Sequence, residues 1–478
     1  MRIRGSSAFM AAWLRPAVRT IALLALLLMP GAAPAWAQRP APADRTIDDV
    51  VEDALSRAIA PGAVVAIVVR DSIAFMRAYG TTALDGDDVP LTGDALFQAG
   101  GLSELVNALT AARLAHAGTL ALDAPLGPLV PELPRRFRDV TVDQLLTHTA
   151  GISYETAVPG RGGADDLGAA ARGLTPLDRF APGGTMYSFS TPGLQLVGLA
   201  IERAAKRPHA AAVKDAVLVP LGMLRSTFDF AEARPHLTPG WHGSSSIAAR
   251  LQPASFTRDV AMSVPVRGFH TTGADAARLV IALLSDGVVA GERVLPEGVA
   301  ASLLQPRADV PFSTSRAGRG LRLSSWRGHN AVSIAGGSAG HSISLDLLPD
   351  QRLGVIVLTN RSGRGLRGVA DFVFRRLVGD FAAPAGPDAS ADTASLQQLA
   401  GHTGRYLNGA ELIEIVADDG VPLLKSGDLM LPIRVLDDGA FGALIDNRVA
   451  LIFRMFIDDG GRPWLWINDR ALGRELPR

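Results

Sequence analysis

Val140-Thr141-Val142-Asp143-Gln144-Leu145-Leu146-Thr147-His148-Thr149-Ala150-Gly151 is the most informative stretch of this chain. Its Leu-Leu-Thr-His-Thr run reads as a helix end, and a lone histidine there reads as a structural hydrogen-bonder rather than a base or a ligand. On its N-terminal side, residues 101–117 put Leu102, Leu105, Val106 and Leu109 on one helical face, with Gly118 as the stop. Farther out, Ile47, Val50, Val51, Ala54, Leu55 and Ile59 keep a helical spacing until Pro61-Gly62 breaks it. Ala63 to Val69 then reads as a buried strand, and Ile73 to Tyr79 as its hairpin partner across Asp71-Ser72. On the C-terminal side, residues 192–206 read as a helix opened by Pro192. Ser342–Leu348 and Gly354–Leu358 read as strands around a Pro349-Asp350 turn. Strands at both ends with helices between them predict an α+β sandwich. Its sheet is closed by distant segments.

Residues 382–395 (AAPAGPDASADTAS) are small, proline-containing and aperiodic, which reads as a linker. Beyond it, Glu411–Val416, Leu429–Leu436, Val449–Phe456 and Trp464–Ile467 alternate as strands do, and Asp-Asp-Gly recurs at 418–420, 437–439 and 458–460. A small antiparallel β-domain over 396–478 is expected. At the other end, Arg2, Arg4, Arg15 and Arg19 precede an apolar run, Ile21 to Met29, that Pro30-Gly31 interrupts before Ala35-Trp36-Ala37. That order predicts a cleaved export signal over 1–37, a main domain over 38–381, and a periplasmic or extracellular location. An apolar run of this length is short for a bilayer span, so no transmembrane segment is expected in the mature chain.

The full chain of 478 residues carries 47 basic and 47 acidic side chains. Cleavage after Ala37 leaves 43 basic against 47 acidic, which gives no reason to expect nucleic acid as a partner. No cysteine is present, which excludes disulfides, thiolate metal sites and a cysteine nucleophile. The nine histidines lack metal-ligand spacing, so no metal and no cofactor are expected. Lysine is scarce, at Lys206, Lys214 and Lys425 alone.

Several phrases, in one order, resemble the serine β-lactamase, D-alanyl-D-alanine carboxypeptidase and esterase superfamily in its class C-like branch. They are Pro61-Gly62-Ala63-Val64, Leu96-Phe97-Gln98-Ala99, Gly118 to Asp123, the stretch Val140 to Gly151, Pro182-Gly183, Tyr187-Ser188, Pro220-Leu221-Gly222-Met223 and Gly336 to Gly340. The resemblance covers roughly residues 45–375. It implies a serine hydrolase scaffold, an α/β sandwich of an antiparallel sheet with helices on its faces plus a helical subdomain, and the tail looks like the small β-domain often appended to such proteins.

Acyl transfer on that scaffold needs a serine at a helix N-terminus with a lysine one turn later, on the same helical face. Here the equivalent phrase is Phe97-Gln98-Ala99-Gly100-Gly101-Leu102-Ser103-Glu104, so Gly101 replaces the nucleophile and Glu104 the lysine. Glycine has no group to attack with, and a carboxylate reverses the charge that would stabilise an alkoxide. The third residue before each lysine is Arg203, Ala211 or Pro422, so no Ser-x-x-Lys exists at any alignment. The second motif reads Tyr187-Ser188-Phe189, with Phe189 where an amide should hold substrate; the third reads Ile334-Ala335-Gly336, with Ile334 in place of lysine or histidine. Of the five side chains the resemblance carries over, Tyr187 alone remains.

These replacements predict a degenerate hydrolase, a pseudoenzyme that binds a ligand through the old cleft, a cell-wall peptide being one candidate. The cleft is expected to be formed by Gly101, Glu104, Phe189, Ile334, Gly336 and Ser338, with backbone N–H groups at Gly101 and along Gly336–Gly340 as donors. The alternative is a hydrolase with a recruited nucleophile, Ser103 first and Ser188 second. A protein partner carried by the C-terminal β-domain is a third expectation. Gly336-Gly337-Ser338-Ala339-Gly340 matches G-x-S-x-G, yet the alternating run after it reads as a strand, whereas a nucleophile elbow needs a helix there.

Overall fold

The computed structural model describes residues 45–475 apart from 84–88, 156–165, 244–250, 257–260, 339, 364, 367, 380–395, 397–398, 400, 419–420, 437 and 446–447. The export signal and the linker read from the sequence lie outside the described residues. The chain divides into two units between Asp49 and Val50. In the first, the Thr46 N–H and hydroxyl both donate to Asp49 at 2.7 Å, a start signal for helix α1, Ile47–Ala58.

Within the second unit, β1 (Gly62–Val69) and β2 (Ser72–Gly80) form the expected hairpin. Helices α2 (Ser103–His116), α3 (Val142–Leu146), α4 (Thr191–Ala205) and α5 (Gly273–Leu284) follow before the chain returns to the sheet. There it adds the short β3 (Ala308–Asp309) and β4 (Arg316–Ala317), then β5 (Arg322–Trp326), β6 (His329–Ser338), β7 (His341–Leu348) and β8 (Leu353–Thr359). The strands run antiparallel in the order β2-β1-β8-β7-β6-β5-β4-β3. The last strand of the body therefore pairs with the first, as the sequence predicted. The central strands are almost wholly buried, which their uninterrupted Val, Ile and Leu runs require.

The register sorts the sheet's two faces. Ile334 faces Leu345 and Val332 faces Leu347, and these side chains join the main core with α2, α4 and α5. On the other face the pairs are Ser333–Asp346, Ala335–Ser344 and Gly337–Ser342, small or polar, under helix α6 (Val369–Val378). The pairing of β5 with β6 stops at Ser333, while β6 runs on to Ser338. The edge of Ile334–Ser338 is thus free, and it faces the turn Gly100–Leu102 that leads into α2. Ser338 pairs with His341 across the β6–β7 turn, where Gly340 takes the φ of +75° that turn needs. A strand, not a helix, follows the G-x-S-x-G phrase, so no nucleophile elbow forms.

The C-terminal β-domain is a closed barrel of eight strands: β9 (Gly404–Asn408), β10 (Glu411–Asp418), β11 (Val421–Ser426), β12 (Leu429–Val435), β13 (Phe441–Ile445), β14 (Arg448–Ile457), β15 (Pro463–Ile467) and β16 (Arg470–Arg474). Each strand pairs with the next, and β9 pairs with β16 to close the ring. The interior is filled by Tyr406, Ile415, Leu424, Phe441, Phe453 and Leu465 among others, as small barrels require. Four of these strands are those read from alternation. The other four are shorter or carry proline and glycine, which hides their period. A separate cluster joins Trp464, Trp466 and Ala471 of the barrel to Ala181, Tyr187, Val310 and Ala317 of the body.

Candidate functional site

A cavity of about 540 Å3 opens where the turn before α2, the end of α3, the segment before α4 and the free edge of β6 converge. Local sequence places each wall. Thr141 and Gln144 form a reciprocal capping box that starts α3, and the Thr147 hydroxyl donates to the Asp143 carbonyl at 2.7 Å to end it. His148 follows in a left-handed conformation, φ +55°. A histidine pays for that backbone only where its surroundings hold it. Ser190 caps α4 by accepting the Gly193 N–H, which fixes the Tyr187–Phe189 segment just before it.

The wall that should present a nucleophile is closed by backbone. A Cβ on Gly101 would lie 2.8 Å from Gly336 Cα, and a Cβ on Gly336 only 2.5 Å from Gly101 Cα. The two glycines abut with no side chain between them. Both glycines border the cavity they were expected to help form, with no room between them for a side chain. A bulky residue at either position therefore disturbs the fold as well as the cleft.

In the first turn of α2, Glu104 Oε1 lies 3.0 Å from His148 Nε2. His148 Nδ1 accepts the Ser190 N–H at 3.3 Å, which leaves the ring proton on Nε2, directed at the carboxylate. The imidazole is almost buried, whereas Glu104 is partly open to the cavity. The His148 ring is 4.5 Å from Phe189 and 5.6 Å from Tyr187, centroid to centroid. His148 is thus the structural hydrogen-bonder its sequence setting suggests, but it lines the cavity. Its partner is the residue in the lysine's place, a pairing that a separation of 44 positions hides from sequence.

Tyr187 has been repartnered too. Arg322 Nη2 donates to its phenol oxygen at 3.0 Å, and the guanidinium lies 5.4 Å from the centre of its ring. Burial pushes the phenol's pKa up to about 12, against the opposing pull of Arg322. The shift favours the neutral phenol, which accepts from Arg322. Arg322 in turn meets Asp469 at 3.2 Å, from the turn between β15 and β16. Asn468 and Asp469 in that turn both take positive φ, +47° and +62°. The Phe189 N–H donates to the Asp469 carbonyl at 3.0 Å, so the barrel forms part of the cavity wall. Sequence reading missed both Arg322 and Asp469. Asn-Asp flanked by strands signals a tight turn, but nothing local says what that turn touches.

The remaining expected residues separate. Phe189 and Ile334 line the cavity with Glu104 and Tyr187. Ser103 is wholly buried and its Oγ accepts the Phe269 N–H at 3.3 Å, facing the core rather than the cleft. Ser188 is also buried, and its Oγ accepts the Ala471 N–H of the barrel at 3.2 Å. Each recruited-nucleophile candidate is therefore a structural hydroxyl. Ser338 sits at the end of β6, away from the cavity lining. Ser333, whose hydroxyl borders the cavity, donates to Asp346 Oδ1 at 2.6 Å.

Three comparisons bear on this geometry. The Beta-lactamase family model matches residues 47–380. Esterase EstB of Burkholderia gladioli is 28% identical over 380 residues, covering 70% of this chain and 94% of the esterase. A solved structure of SurE superposes with a TM-score of 0.72 at 23% identity, over 90% of this chain and 98% of SurE. A class C β-lactamase of Rhodobacter sphaeroides superposes with a TM-score of 0.59 at 20% identity, over 69% of this chain and 99% of the enzyme.

Proposed function

Because this chain belongs to the beta-lactamase family, we propose that it is an exported member whose cleft binds a small ligand without serine–lysine acyl transfer. The observation that carries this reading is the contact between Gly101 and Gly336, which leaves no space for a nucleophile side chain. Glu104 supports it, because a carboxylate bonded to His148 disfavours a developing alkoxide where a lysine would stabilise one. Tyr187 supports it as well, since a phenol held protonated beside Arg322 takes no proton from an attacking group. A cell-wall peptide remains one candidate ligand. Export rests on the basic, apolar and small-residue order of residues 1–37.

The purified mature protein, incubated with a fluorescent penicillin and separately with a fluorophosphonate probe, should show no covalent mass addition. An adduct mapped to any serine would overturn the reading. A second reading, a hydrolase with a recruited nucleophile, is favoured by the esterase among the relatives. It needs Ser103 or Ser188 to leave the buried hydrogen bonds each now makes. The same labelling, followed by peptide mapping, separates the two.

A further inference from the structure

Glu104 lies in the cavity with an incomplete set of partners. Among the described residues, other carboxylates near the cleft are matched to arginine: Asp469 to Arg322 and Asp143 to Arg319. Glu104 has His148 at one oxygen, Oε1, and the neutral ring contributes a hydrogen bond without a countercharge. A place in the first turn of α2 suits an acidic residue by the helix dipole. The dipole does not explain why the carboxylate is held from the side by a histidine in strained backbone, in a cavity where Phe189, Leu194, Leu321 and Ile334 supply apolar wall and Arg267, Arg322 and Asp469 the other charges. A half-enclosed carboxylate beside an aromatic face and apolar walls recognises an organic cation, by charge at one end and by ring and aliphatic contact at the other.

We propose that the cavity takes a small ligand bearing an ammonium group on an apolar body, with the ammonium on Glu104 and the body against Phe189, Leu194 and Ile334. The inference rests on the reading of the cleft as a non-covalent binding site. At this position the cleft offers a ligand an anion where a lysine would offer it a cation. Two guanidiniums also border the cavity, Arg322, which pairs with Asp469, and Arg267; among the described residues the ion-pair contact of Glu104 is with His148 and with neither of them.

Calorimetric titration of the full mature chain with three probes of one shape tests this: phenethylammonium, 2-phenylethanol and phenylacetate. Phenethylammonium should bind about tenfold or more tightly than the alcohol, and phenylacetate should bind more weakly than either. Glu104→Gln should remove the preference while leaving the alcohol's weak affinity. If that variant fails to fold, the probe ranking on the native chain still decides. Equal affinities, a preference for phenylacetate, no saturable binding of phenethylammonium at millimolar concentration, or a preference that survives Glu104→Gln would each overturn the inference. A covalent adduct in the labelling experiment would instead overturn the proposed function, so the two failures are distinguishable.

Discussion

The cavity has two walls of opposite construction. The body wall is backbone against backbone: Gly101 and Gly336 touch, buttressed behind by His341, which accepts the Gln98 N–H and donates to the Thr238 carbonyl, each at 3.0 Å. The barrel wall is long side chains: Tyr187, Arg322 and Asp469 in sequence, over a floor of Trp464 and Trp466. The first wall tolerates no added atom. The second tolerates loss unevenly, since its apolar floor is dry and its ion pair is wet. Glu104 bonds to His148 and Tyr187 to Arg322, so both walls are tied into the body by side-chain contacts.

The largest expected effect falls on the barrel wall's floor. Trp464 is 1% exposed, packs 5.9 Å from Phe180 of the body and donates its indole N–H to Asp458 at 2.9 Å. Trp464→Ala should cost about 3–5 kcal/mol, the range for emptying a buried aromatic site. Denaturant unfolding checks it, and a loss below about 1 kcal/mol would mean that barrel and body are not energetically joined there.

Acid should weaken the body wall next. Burial holds His341 at a pKa of about 3, against 6.5 for the free side chain. The unfolded chain takes up this proton below about pH 6.5, whereas the folded chain resists until about pH 3, so folding stability falls as pH drops through that window. The slope is about 1.4 kcal/mol per pH unit for this one group. His209, buried against Asn107 and likewise held at about 3, should add a similar slope. Unfolding free energies between neutral pH and pH 4.5 measure the sum. His341→Gln should flatten the curve, and an unchanged slope would show that the ring is not neutral in the fold.

A double-mutant cycle sharpens the comparison at the glycines. Gly336→Ala and Gly101→Ala should each cost about 1–3 kcal/mol, because each Cβ meets main chain that cannot rotate away. The pair should cost less than the sum by about 0.5 kcal/mol or more, since the first substitution already forces the turn and the strand apart. Strict additivity would place the two clashes at independent sites. For the same reason, Gly101→Ser combined with Glu104→Lys should not restore penicillin labelling.

Much of this molecule is legible in the sequence, and the boundary follows the range of the forces involved. Helix α2, the β1–β2 and β7–β8 runs and half of the barrel strands are set by period and turn residues, which act over a few positions. The absence of any Ser-x-x-Lys is legible because it is a local fact of the sequence. What Glu104, Tyr187 and Ser103 do instead depends on partners 44, 135 and 166 residues away, at His148, Arg322 and Phe269. No periodicity carries that information. The same limit explains Ser103: a hydroxyl one residue before Glu104 sounds like a cleft residue, but the helical turn between them points it into the core.

The smallest effect should come from the ion pair that finishes the barrel wall. Arg322 and Asp469 are 3.2 Å apart with their side chains 31% and 51% exposed, so water and salt screen most of their attraction. Asp469→Ala should cost only about 0.2–1 kcal/mol, a loss that shrinks as salt is raised, whereas the Trp464→Ala loss should not shrink. The backbone contact from Phe189 to Asp469 survives the substitution, which keeps the turn in place. A salt-independent loss of more than about 2 kcal/mol would mean that Asp469 works through the buried phenol of Tyr187. The barrel wall would then be as intolerant of change as the glycine wall opposite.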